Sequence, residues 1–259
     1  MTRTISCGLA PRTLFRDVSD TYAAAWLVGR AGWPLVAALV AVEGAQHVVE
    51  WQRGIYAGDA FGPAGDAAFW TAATAKVVTV TLVALVGARL VATDGAFRPA
   101  LLPPPSLALR IAAGLTVTLA VTVMPLAQAA VPPEVLPVAE ASARVLLERV
   151  AQLGLVLNGL VVFLVPWLVA WLVGDRTLPL RRSATWAAWR TPWVIVVGLA
   201  AYAPLFTAHV GLGLGAVGRP PALAAVMLAV DSLVVGALAC MMGAFLWITY
   251  DRARSDLAG

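Results

Sequence analysis

Glu43, His47 and Glu50 stand four and three residues apart in VEGAQHVVE, a stretch that is otherwise mostly apolar. On a helix those intervals place all three near one face. Carboxylates beside an imidazole can bind a transition-metal ion or relay a proton. The chain has one other histidine, His209, in the comparable setting TAHV. Two imidazoles at matching depth on two helices could also clasp a haem or chlorophyll-type macrocycle, one ring nitrogen each, which makes His47 and His209 candidate metal or tetrapyrrole ligands. The plainer alternative is that both histidines pack helices or sit at an interface, and no resident cofactor is then required. Lys76 lies in a second apolar run, and Asn158 in a third. An ionisable side chain in hydrocarbon costs about 2.5 kcal/mol or more, so Lys76 needs a partner. Glu43 is 13 residues beyond Arg30 and Lys76 is 13 residues before Arg89. At ~1.5 Å per residue both lie roughly 20 Å from the same ends of adjoining antiparallel helices, so they are expected to pair. Asn158, at nearly the same depth, is expected to hydrogen-bond across helices. Glu43, His47, Lys76 and Asn158 thus form a candidate intramembrane polar cluster, while Asp231 is expected near enough to the outer surface to be hydrated.

The elements that must position these residues follow from composition. Of 259 residues 61% are apolar and 12% charged, and mean hydropathy is +0.85, a balance that soluble domains do not show. Six apolar runs, near 26–50, 68–92, 107–129, 150–173, 191–213 and 224–248, have the length a helix needs to cross ~30 Å of hydrocarbon. The expected fold is an all-α integral membrane protein with six transmembrane helices: a segment 1–25 that includes a candidate interfacial helix, a membrane domain 26–250, and a tail 251–259. The first 20 residues contain no apolar core of a cleavable or lipoprotein signal. Arg3, Arg12, Arg16, Arg89, Arg98, Arg176, Arg181, Arg182, Arg252 and Arg254 cluster in alternate connections, which predicts both termini in the cytoplasm of a cell with this chain in its inner membrane. That bias accounts for a net charge of +4, so no nucleic-acid partner is inferred. Cys7 and Cys240 would fall on the reducing side and within a helix, and no disulfide is expected.

Landmarks recur. Arg30, Arg110 and Arg190 are spaced by 80, the aspartates of RLVATD, WLVGD and WITYD (Asp94, Asp175, Asp251) by 81 and 76, and His47, Gln128 and His209 by 81. These intervals predict three helical hairpins of one pattern, about 26–94, 107–175 and 186–251. The stretches WLVGRAGW and WAAWRTPW share Trp-x-x-x-Arg-x-x-Trp, so Trp26, Arg30, Trp33, Trp186, Arg190 and Trp193, with Arg110 between them, are expected as interfacial lipid anchors. The entry LPLRRSATWAAWRTPWVIVVGLAAY resembles the helix entries of bacterial six-helix membrane proteins that include YciC-like proteins and the membrane portion of some glycerophosphodiester phosphodiesterases. That resemblance covers the first and fifth helix entries. The phosphodiesterase activity of that group belongs to a separate soluble domain, so no catalytic residue carries over.

No Ser/His/Asp set, CxxC, HExxH or P-loop is present, and an enzyme is not expected. GLGLGAVG, 211–218, lacks the strand and lysine of a phosphate site and reads as an outer loop. The connections 51–67 and 131–149 combine apolar and charged residues. Ile55, Tyr56, Phe61, Val138, Arg144, Leu146 and Glu148 are therefore candidates for contact with another membrane protein or a second copy of the chain. The first functional expectation is a non-catalytic accessory or scaffold subunit that binds lipid and partner proteins. The alternatives are a small-molecule or ion transporter built on the polar cluster, and a pigment- or haem-binding protein.

Overall fold

The computed structural model describes residues 14–57, 66–102, 108–109, 112 and 164–258. Every regular element among them is helical: α1 (Leu14–Ala31), α2 (Trp33–Gln52), a 3-10 turn (Ile55–Ala57), α3 (Ala67–Ala92), α4 (Phe97–Leu101), α5 (Leu164–Val173), α6 (Leu180–Ala216) and α7 (Pro221–Ala258). By length and apolarity α3, α6 and α7 can each cross a membrane, and α1 with α2 forms a fourth, bent crossing if counted as one. The span expected at 107–129 lies almost wholly outside the described residues, and only 164–173 of the next is described.

The run expected as one helix over 26–50 is two helices meeting at 87°. Pro34 supplies no N–H to the turn before it and its ring crowds the carbonyl four residues back, so a continuous helix is disfavoured there. Gly32 stands at the break, where a Cβ would lie 2.8 Å from Val28 O and 2.9 Å from Leu90 Cδ1, so no larger residue fits. Its carbonyl restarts the ladder by accepting from Leu35 N at 2.9 Å. The consequence is that Trp26 and Arg30 end one helix while Trp33 opens another. GLGLGAVG is likewise not a loop as far as Ala216, because α6 continues to that residue. Unpaired backbone groups are costly at a membrane, and helix satisfies them even through glycine.

α7 is the central mast against which α1, α2, α3 and α6 pack. Four apolar clusters lie along it: Tyr56, Ala216 and Leu228; Leu39, Val83, Val235 and Ala239; Val28, Leu90, Met241 and Ala244; Val169, Trp186, Val194 and Tyr250. α3 and α7 cross at Gly87 and Gly243, small residues that let helix backbones approach closely. α1 lies against α7 by Thr21, Ala24, Ala25 and Val28, and leaves Phe15, Tyr22 and Trp26 exposed on its other side.

The C-terminal ends of α3 and α5 are capped alike. Asp94 takes a φ of 50° and Gly95 N–H returns to Leu90 O at 2.7 Å; Gly174 takes a φ of 79° and Asp175 N–H returns to Ala170 O at 2.8 Å. Both are left-handed caps with a 6→1 bond. The third landmark, Asp251, ends nothing, since α7 runs through it to Ala258. Arg89, expected among the charges of a connection, is instead buried within α3 and donates to Ala100 O and Pro99 O at 2.8 Å each, and to Leu172 O. It thereby satisfies terminal carbonyls of α4 and α5.

Candidate functional site

Four side chains of α2, Glu43, Gln46, His47 and Glu50, are spaced i, i+3, i+4 and i+7 and so share a face. Glu43, Gln46 and His47 are buried. His47 is the centre of the site. Its Nδ1 lies 3.0 Å from Glu50 Oε2 and 2.9 Å from the Tyr56 hydroxyl, which itself donates to Glu50 Oε2. Gln46 Nε2 donates to the other oxygen, Glu50 Oε1, at 2.7 Å. Burial, and then the bond to Glu50, raise the Tyr56 phenol far above its usual range, so it stays protonated as the donor. With the phenol donating to Glu50, His47 Nδ1 is the ring nitrogen turned to Glu50 and Tyr56, and Nε2 is turned away from them.

His47 Nε2 faces carboxylates. His47 Nε2 is 3.1 Å from Asp231 Oδ2 on α7 and 3.5 Å from Glu43 Oε1. The 3.1 Å approach is not aligned as a hydrogen bond, and Glu43 Oε2, Gln46 Oε1, His47 Nε2 and Asp231 Oδ2 are all buried without a hydrogen-bond partner. Asp231 is fully buried, not hydrated as expected; its Oδ1 is 2.7 Å from His209 Nδ1 on α6. Glu43 Oε1 accepts from Lys76 Nζ on α3 at 2.7 Å, the pairing that matched depth predicts. Side chains from four helices and the turn after α2 therefore meet in one place. Three carboxylates and one ammonium leave it a charge of −2 when both imidazoles are neutral. One ligand atom each from Glu43, His47 and Asp231 lies within 4.8 Å of the other two.

No family model, no curated protein and no solved structure matches this chain. Its function has to be read from this geometry.

His47 also lines a cavity of about 470 Å³ between α2 and α7, walled by Gly44, Trp51, Leu228 and Ser232 among others, so the site opens beyond its own side chains. The turn that carries Tyr56 is tied back to the start of α3 by Arg53, which bonds both oxygens of Asp66, one through Nη2 at 3.2 Å. Asp66 in turn caps α3, accepting from Phe69 N at 3.0 Å. The bond from Arg53, followed by the one from Phe69, holds the Asp66 carboxyl down at about 2.

His47 and His209 do not flank an open slot of the kind a macrocycle needs, since both ring edges are turned to the two oxygens of Asp231. The two tryptophan stretches, alike in sequence, are placed differently. Trp26 and Trp33 are 73% and 66% exposed and Arg30 is exposed. Trp186 is buried and its indole donates to Asp256 Oδ2 at 3.0 Å, while Arg190 pairs with the same oxygen at 2.9 Å. Trp193 packs edge-on against Trp186 and donates to the buried Asp17 at 2.8 Å. Of the contact candidates, Ile55 is half-buried and Tyr56 is turned inward to His47. Arg110, Asn158, Phe61, Val138, Arg144, Leu146 and Glu148 lie outside the described residues.

Sequence reasoning misses Asp231, Gln46 and Tyr56 as members of the site. Two of the three carry a signal. Asp231 is an ionisable residue within the long apolar run of α7, ten residues or ~15 Å from its start. Gln46 is three residues from Glu43, on the same face. Tyr56 has none, because where a turn residue points is settled by the helices it packs on.

Proposed function

We propose that the chain is a multi-pass inner-membrane protein, with both termini cytoplasmic, that binds a small cation at the Glu43–His47–Asp231 cluster and carries it across the bilayer. The observation that carries this reading is the gathering of three carboxylates against one ammonium, an excess of negative charge when both imidazoles are neutral, drawn from α2, α3 and α7 with His209 of α6 on Asp231. A pair that only pinned two helices together would need Glu43 and Lys76 alone. Additional ionisable groups at that depth each add to the cost of insertion, and a purely structural polar network is one whose members are all satisfied. The 87° junction of α1 and α2 at Gly32, eleven residues before Glu43, gives the bundle a discontinuous element of a kind also found in transporters.

The accessory-subunit reading rests on contact candidates of which Tyr56 faces inward, Ile55 is half-buried and the rest lie outside the described residues. The exposed Phe15, Trp26, Arg30 and Trp33 fit membrane lipid as their partner, Trp at headgroup level and Arg toward phosphate. Six spans in three repeated hairpins remain the proposed architecture. Its support is the like capping of α3 and α5, whose left-handed residues Asp94 and Gly174 are 80 positions apart, the interval of Arg30, Arg110 and Arg190.

The test is flux in proteoliposomes. A membrane potential is imposed and internal acidification is followed with a trapped dye, and uptake of Mn²⁺, Zn²⁺ and Na⁺ is measured alongside. Flux of at least one of these cations above that of empty vesicles, lost in Asp231→Asn, is expected. Equal flux with and without protein for all four ions overturns the proposal.

A further inference from the structure

Resting on that reading of the site, we propose that Glu43, His47 and Asp231 are the ligands of a divalent first-row transition-metal ion, a metal centre embedded among α2 and α7 with α3 and α6 as its supports.

Each of the three side chains has two candidate ligand atoms. In each, one is held by a neighbour and the other is left: Glu43 Oε1 is held by Lys76, His47 Nδ1 by Glu50 and Tyr56, Asp231 Oδ1 by His209. The remaining atoms, Glu43 Oε2, His47 Nε2 and Asp231 Oδ2, are buried and have no hydrogen-bond partner. Asp17 and Gln46 show the same division, but Glu43, His47 and Asp231 also bring one ligand atom each within 4.8 Å of the other two. In metal centres it is the rule, because a ligating histidine donates its other ring N–H to a carboxylate or similar group, and ligating carboxylates are hydrogen-bonded in turn. The Glu50–His47 pair has that arrangement, with Nδ1 turned to Glu50 and Nε2 turned away from it.

Electrostatics agree. Nε2 stands 3.1 Å from one carboxylate oxygen and 3.5 Å from another, so a cation among the three atoms is attracted by all of them once the imidazole is neutral, as a metal ligand must be. With both imidazoles neutral the site charge of −2 matches a divalent ion. One imidazole nitrogen with two carboxylate oxygens is a borderline donor set, suited to Mn²⁺, Fe²⁺, Co²⁺ or Zn²⁺; an all-oxygen site would serve Mg²⁺ or Ca²⁺, and Cu⁺ would call for sulfur. The cavity of about 470 Å³ that reaches His47 leaves room on that side for a further, exchangeable ligand.

The full-length chain, purified in mild detergent and stripped with chelator, is titrated with Co²⁺ and followed by visible d–d absorption, with Mn²⁺ binding followed by loss of the free-ion EPR signal. One equivalent per chain is expected, displaced by Zn²⁺ and not by Mg²⁺. His47→Gln and Asp231→Asn are each expected to weaken binding by at least 100-fold. Glu50→Gln, which removes no ligand atom and acts only through His47 Nδ1, is expected to weaken it about 10-fold or more and to shift the Co²⁺ bands, an effect loss of packing alone does not produce. If those variants do not fold, the wild-type chain still decides: no saturable Co²⁺ spectrum and no rise in its melting temperature with Zn²⁺ overturns the metal centre. Tight binding that survives His47→Gln in a folded protein assigns the ion elsewhere and also overturns it. The two proposals fail separately. Proton or Na⁺ flux without metal binding removes the metal centre and keeps cation transport, and metal binding without any flux does the reverse.

Discussion

Removing Lys76 or Glu43 singly should cost the protein far more than removing both. Lys76 Nζ and Glu43 Oε1 are 2.7 Å apart, with the glutamate side chain fully buried and the lysine 22% exposed. At an effective dielectric near 20 that separation corresponds to a gross attraction of about 6 kcal/mol, most of which offsets the desolvation of the two ions. Stranding either charge removes the attraction and keeps the desolvation, a loss of about 3–5 kcal/mol. With roughly 2–4 °C per kcal/mol for a chain of this size, Glu43→Gln should lower the midpoint of thermal unfolding in detergent by about 6–20 °C. Lys76→Met should fall at the low end of that range, because Glu43 Oε1 also lies 3.5 Å from His47 Nε2 and a protonated imidazole can stand in for the ammonium. The double variant, neutral on both sides, should melt no lower than the milder single one. Midpoints read by size-exclusion recovery after heating are sufficient for the comparison. If the double variant loses the sum of the two single losses, the residues do not interact as argued; if Lys76→Met costs as much in the parent as in a His47→Gln background, the imidazole plays no compensating part.

Two further outcomes follow from local geometry. Gly243→Ala places a Cβ 2.8 Å from Ala84 O and 2.9 Å from Gly87 Cα, both backbone atoms, so α3 and α7 must part and stability should drop by about 1–3 kcal/mol; Gly211→Ala, with nothing within 4 Å, is the control, and equal melting of the two would refute the close crossing. The Asp66 carboxyl, lowered from 3.8 to about 2 by Arg53 and the cap of α3, contributes to the folded state fully above pH 3.8 and loses that contribution as pH falls toward 2. Its carbon-13 titration midpoint should lie near 2 and move upward in Arg53→Ala, whereas an ordinary midpoint in the parent would remove the tie between the Tyr56 turn and α3.

What is legible in the sequence, and what is not, divides along a physical line. Periodicity measures distance along a helix. It places Glu43, His47 and Glu50 on one face, and matched depth alone pairs Glu43 with Lys76, as the fold does. Distances across the bundle are another matter. In a soluble helix the polar stripe marks the outside, so the inward face can be read off. In α7 both the lipid-facing and the protein-facing sides are apolar, and its fifteen buried residues occupy no sequence pattern that distinguishes them from the rest. Only a polar residue reports orientation there. A helix taken to start at 224 puts Asp231 ~10 Å in, near the surface, where the actual start at Pro221 puts it ~15 Å in. Arg89 misleads for a related reason. As a charge near a helix end it counts toward topology, but three carbonyls of α4 and α5 accept its guanidinium, and a tally of charges holds no record of where they point. The break at Gly32 has its signal in Pro34, four residues beyond Arg30, and a spacing that looks like one face of one helix conceals it. In a bundle surrounded by lipid the polar residues are thus the reporters of the interior, and their unsatisfied atoms the reporters of what the interior holds. At Glu43, His47 and Asp231 three such reports gather within one ligand-atom distance of 4.8 Å.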